Sequence, residues 1–154
     1  MTNLDQAAPP GAVADTAELD GDRAAVLRRE MVAGLVQRSE LSLAWRPAVE
    51  QVARHWFIPD TVWRLDDDLV GPDLVPLHRA HDPAGWLADA YAPSPIITQV
   101  DDGHPDPDGR GAEATSSAPQ PSVVAKMLTA LDVEPGMRVL EIGTGVRHGV
   151  AHDK

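Results

Sequence analysis

One run of residues near the carboxyl end constrains this chain more than any other. Residues 133–145 read Val-Glu-Pro-Gly-Met-Arg-Val-Leu-Glu-Ile-Gly-Thr-Gly. Pro135-Gly136 is a turn signal, and it launches a short apolar run, 137–142, that carries one acid, Glu141. A run of that length bounded by turn residues reads as a buried strand. Gly143-Thr144-Gly145 closes it. Glycines there let the backbone turn sharply and let a ligand come close to the main chain. The first strand of a nucleotide-binding α/β domain ends in this way, with a carboxylate such as Glu141 placed to accept hydrogen bonds from the ligand.

Charge narrows the partners. Asp and Glu number 24 against 13 Lys and Arg, a net charge of −11. Nucleic-acid binding needs a basic face, so neither nucleic acid nor an anionic membrane is expected as a partner. The chain has no cysteine, which excludes disulfides and thiolate metal sites. No apolar run reaches the ~18 residues of a membrane span, and no basic-then-apolar leader opens the chain. These features predict a cytoplasmic protein.

Residues 1–18 are rich in Ala, Pro, Asp and Thr and are expected to be a disordered tail. Asp20-Gly21-Asp22 is read as the start of a helix whose stripe is Leu27, Met31 and Leu35, with Val32 and Val36 beside it. A second helix is expected from Pro47, with Val49, Val52 and Trp56 as its apolar stripe, ending at Pro59. His55 beside it is read as a structural histidine. Residues 60–81 look irregular, and the triplet Asp66-Asp67-Asp68 is read as solvated. Asp82-Pro83 starts a short helix that buries Trp86, Leu87, Ala90 and Tyr91. The β-branched run 96–100 reads as a strand. Residues 101–114 hold two Asp-Gly pairs and two prolines, the composition of a flexible acidic loop. His104, Asp106 and Asp108 are too poorly preorganised there to be expected as metal ligands, and no metal site is predicted. Residues 115–121 are read as a capping region for a helix over 122–131, striped by Val124, Met127, Leu128 and Leu131.

Taken in order, these pieces resemble the protein-L-isoaspartate O-methyltransferase family. Val52-Ala53-Arg54-His55-Trp56-Phe57-Ile58-Pro59 looks like its R-x-x-F-V-P segment. Ala90-Tyr91 followed by Ile96-Ile97-Thr98 looks like its A-Y-x-D … P-L segment. Val-Leu-Glu-Ile-Gly-Thr-Gly looks like its first cofactor-binding motif. The acidic insertions look most like the bacterial branch associated with peptide maturation. The resemblance covers about residues 47–145.

It implies an α/β fold: an N-terminal helical portion plus the first strand of a Rossmann-like domain dependent on S-adenosyl-L-methionine, left incomplete. It implies methylation of a carboxyl on L-isoaspartyl or aspartyl residues of a protein or peptide substrate, in repair or in maturation. Glu141, Gly143, Thr144 and Gly145 would bind the cofactor, although Arg147 stands where the family's third glycine falls. The family's T-I-S-x-P pattern is laid over residues 117–121, with Ser117 at the threonine and Pro119 at the serine. Shifted by two residues, it assigns Thr115 and Ser117 to the two roles, and these are the hydroxyls expected at the substrate carboxylate.

The reading divides the chain into a tail (1–18), a helical region (19–92), the start of the methyltransferase domain (93–145) and an unrelated tail (146–154). His148 and His152 in that last tail are given no role. Because so little chain follows Gly145, a truncated product, inactive or impaired, is expected. The competing expectation is a non-catalytic interaction module with a vestigial glycine turn.

Overall fold

The computed structural model describes residues 12–65, 74–134 and 136–140, with side chains from residue 21 onward. The triplet at 66–68, residues 1–11, and the cofactor turn with the tail beyond it lie outside these residues.

Helix α1 runs Ala12–Gln37, so it begins well before the expected start at Asp20. Residues 12–18, read as tail, are its first turns. Alanine is the best helix former, and Ala12, Ala14 and Ala17 stand here, while a single glycine costs only about 1 kcal/mol. The helix therefore passes through Gly21. Its end is a left-handed cap: Ser39 has φ +57°, its N–H donates to Val36, and the Glu40 N–H donates to Leu35. Ala24, Val32 and Leu35 are buried along its inner face, and Leu27, Met31 and Val36 pack beside them.

The second helix is shorter than its stripe suggested. Helix α2 spans Arg46–Gln51, and a separate 3-10 turn follows at Arg54–Phe57. Val52 and Ala53 between them are extended. The break buries Ala53 and leaves Val52 and Trp56 exposed, so the 3.6-residue stripe is not the buried face here.

Four strands form one antiparallel sheet in the order β2-β1-β3-β4. Strand β3, Ile96–Val100, is where its β-branched residues predicted. The other three were not legible. Strands β1, Thr61–Leu65, and β2, Leu74–His78, occupy the stretch read as irregular. Pro76 disguises β2, but β2 lies at the sheet's edge, where a missing N–H is tolerated. Strand β4, Ala114–Ala118, occupies residues read as acidic loop and helix cap. It is the opposite edge strand, made of small residues, and only its last residue, Ala118, is buried.

Helix α3, Pro83–Tyr91, is capped as expected: the Asp82 carboxylate accepts from the Gly85 N–H at 2.8 Å. It buries Trp86, Leu87, Ala90 and Tyr91 against α1 and the sheet. Helix α4, Pro121–Leu131, ends in a left-handed Asp132. The strand expected from 137 is absent over its described part. Residues 137–140 belong to no strand, and Met137, Val139 and Leu140 are exposed. A strand requires a partner for its backbone groups, and every strand pairing among the described residues is within the antiparallel sheet. The chain is therefore mixed helix and sheet, consistent with part of an α/β methyltransferase-like domain.

Candidate functional site

The segment 116–119, which leads from β4 into α4, lines a groove of about 750 Å³. Trp45, Val49, Val52, Phe57, Val124 and Leu128 line it, together with residues 116–119 and Arg54. Its walls are mostly apolar and its polar groups few, the composition of a binding cleft.

The two predicted hydroxyls are not equivalent. Ser117 is exposed and lines the groove. Thr115 does not line it. Its Oγ1 donates to Oε1 of Gln99 at 3.3 Å and accepts from the N–H of Asp102 at 3.1 Å. Thr115 therefore fastens β4 to the turn after β3. That turn is tightly specified. Asp101 and Asp102 both take left-handed backbone angles, and the Asp101 carboxylate accepts from the N–H groups of Ala112 and Glu113 at 2.9 Å each. The stretch 101–114 is thus an organised connection, contrary to its loop-like composition.

Arg54 enters the groove from the 3-10 turn. Its Nε donates to the Ala90 carbonyl and its Nη2 to the Pro119 carbonyl, each at 2.8 Å. One side chain thereby joins the end of α3 to the end of β4. Burial lowers its pKa, against the opposing pull of Tyr91. No carboxylate pairs with it among the described residues. The next residue, His55, shares a 2.7 Å hydrogen bond between Nδ1 and the Tyr91 hydroxyl, and its ring meets Trp56 and Tyr91 edge-on. Burial, then the charges of Arg79 and Arg28, lower the His55 pKa. Burial raises that of Tyr91, although Arg28, the His55 contact and Arg54 pull it down. Both shifts favour the neutral ring, and the two rings are partnered with each other. Sequence reasoning gave Arg54 no role, and its place in the R-x-x-F segment was the one signal available.

No group of three metal-ligating side chains exists among the described residues, His104, Asp106 and Asp108 included. Asp106 instead closes a turn with Gly109 and Arg110, and Asp108 pairs with Arg110. Glu141, Gly143, Thr144 and Gly145, the expected cofactor residues, lie outside the described residues, as do Arg147, His148 and His152. The segment that leads to them is unpaired and exposed, so the described residues build no cradle for S-adenosylmethionine.

Comparison with known proteins bears on the same segments. The sequence model of the protein-L-isoaspartate(D-aspartate) O-methyltransferase family matches residues 88–151, from within α3 through β4 and α4 to the glycine turn. The protein-L-isoaspartate O-methyltransferase of Methanothermobacter thermautotrophicus is 35% identical over 125 residues, covering 80% of this chain and 40% of the relative. The chain thus spans less than half the length of that curated relative. No solved structure matches. The motif order read from the sequence, the family model over residues 88–151 and the relative all support the protein-L-isoaspartate O-methyltransferase family for this chain.

Proposed function

We propose that the chain serves in methylation of a carboxyl group on L-isoaspartyl, or aspartyl, residues of a protein or peptide, and that its described part is the platform for the acceptor. The observation that carries this reading is Ser117: an exposed hydroxyl at the family's serine position, on the rim of an apolar groove of about 750 Å³. A groove with apolar walls and one polar end suits a peptide that presents a single polar group there. Holding the acceptor in one orientation is the main service a protein performs for an in-line displacement. S-adenosylmethionine is the methyl donor the family implies. Repair of damaged linkages and tailoring of a maturing peptide are both served by this acceptor chemistry.

The test is direct. Acetylated and amidated peptides carrying isoaspartate or aspartate are titrated into the chain while tryptophan emission reports on Trp45 in the groove wall. Saturable binding of the isoaspartyl peptide, weakened severalfold by Ser117→Ala, is expected. Binding of neither peptide would sink the reading. Ester formation from labelled S-adenosylmethionine on the same peptide tests the donor side. Calorimetry is expected to show weak or no binding of the donor; micromolar affinity would mean that residues beyond 140 fold around it.

A second reading, a non-catalytic interaction module, is favoured by one observation. Val123, Met127 and Leu131 on α4, with Met137, Val139 and Leu140 after it, leave apolar side chains exposed in one stretch of chain. On that reading the peptide titration is silent.

A further inference from the structure

We propose that Arg54 is a specificity-determining residue that receives the carboxylate of an extended peptide lying in the groove. This rests on the acceptor role proposed above and adds to it a charged contact that no sequence motif assigned.

The argument starts from the cost of burying a cation. A guanidinium withdrawn from water is ordinarily paired with a carboxylate. Arg54 is half-buried, yet its partners are two neutral carbonyls, those of Ala90 and Pro119. Arg38, Arg46, Arg64, Arg79 and Arg110 each pair with a carboxylate, whereas Arg54, which lines the groove, does not. What sets Arg54 apart is its place: a half-buried guanidinium on the wall of the groove, held by carbonyls and not by an acid. Nη1 and the second N–H of Nη2 have no partner among the described residues. A planar fork with free N–H groups is the donor set that matches a carboxylate, and two parallel bonds fix its orientation as well as its charge.

Placement supplies the second part. Arg54 lines the groove beside Pro119, two residues from Ser117. The two carbonyl bonds fix the guanidinium in place, so little side-chain freedom is left to lose when an anion arrives. The occupant is defined by complementarity: an apolar flank against Trp45, Val49 and Phe57, and one negative group at the Arg54 end. A peptide carrying an isoaspartyl α-carboxylate has that form. A neutral amide in its place would leave the cation uncompensated, so discrimination is expected to arise from charge as well as shape.

A purely structural clamp makes different predictions, and one peptide set separates them. Three peptides, acetylated and amidated so that only one position varies, carry isoaspartate, aspartate or asparagine there. For the wild-type chain, the isoaspartyl peptide is expected to bind at least roughly tenfold tighter than the asparaginyl one, the scale of a hydrogen bond to a charged group. Arg54→Gln is expected to erase that ratio, and Arg54→Lys, which keeps charge but loses the fork, to keep part of it. Because either variant might loosen the joint between α3 and β4, the wild-type chain carries its own readout. The Arg54 Nε–Hε resonance is expected to shift on adding the isoaspartyl peptide and to stay still with the asparaginyl one. Equal affinity for the two peptides, with a silent Arg54 resonance, would overturn the assignment while leaving the groove as a peptide site. No binding of any peptide would overturn both.

Discussion

Helices α3 and α4 are equally apolar in sequence, yet they have different fates. Helix α3 buries Trp86, Leu87, Ala90 and Tyr91 between α1 and the sheet. Helix α4 buries only Pro121 and Ala125, and Met127 and Leu131 remain 63% and 53% exposed. An amphipathic stripe states that a face prefers burial; it does not supply the surface that buries it. For α3 that surface is the sheet, assembled from strands on both sides of it in sequence. For α4 the segment that follows, 137–140, belongs to no strand and exposes its own apolar residues.

The contrast is measurable. Trp86 is almost wholly buried, its indole N–H donates to the Pro59 carbonyl, and Arg79 stacks on its ring. Trp86→Ala should cost about 3–5 kcal/mol in urea unfolding. The next largest effect is expected at Gly111, where an added Cβ would overlap the Val100 side chain inside the sheet. Gly111→Ala should destabilise by about 1–3 kcal/mol, read by the same melt. Asp82→Ala removes the α3 cap and should cost about 1 kcal/mol.

A smaller effect concerns the His55–Tyr91 contact. Burial and nearby arginines hold the His55 pKa below its ordinary value, so the unfolded chain binds that proton more readily. Stability should therefore fall as pH drops through the ordinary histidine range near about 6.5. The fall in Tm between neutral and acid pH should be shallower in His55→Gln; an unchanged slope would remove His55 from the account. Last, Met127→Ala or Leu131→Ala on α4 should lie within about 0.5 kcal/mol of wild type. A loss approaching that at Trp86 would show that α4 is covered after all, and would break the comparison.

Legibility in sequence followed the strength of local signals. Helix α3 and strand β3 were read nearly to the residue, because Asp82-Pro83 is a cap with a physical mechanism and 96–100 is dense in β-branched side chains. Strand β1 was missed although Thr61, Val62 and Trp63 favour a strand, because the acidic triplet beside it dominated the reading; β2 and β4 were missed because a proline and a serine pair run against strand propensity. Ser117, singled out by its place in a motif, is exposed and lines the groove. The engagement of Thr115 with Gln99 and Asp102, and the bonds of Arg54 to the Ala90 and Pro119 carbonyls, join residues far apart in sequence and leave no local trace.

The sequence by itself determined the family, through the order of short motifs, and the amphipathic faces, through periodicity. Only the tertiary structure decided which faces are buried, which hydroxyl meets the groove and which arginine lines it. Each of these depends on what lies across a gap of tens of residues, where burial, pairing and charge compensation are settled by contact rather than by local composition.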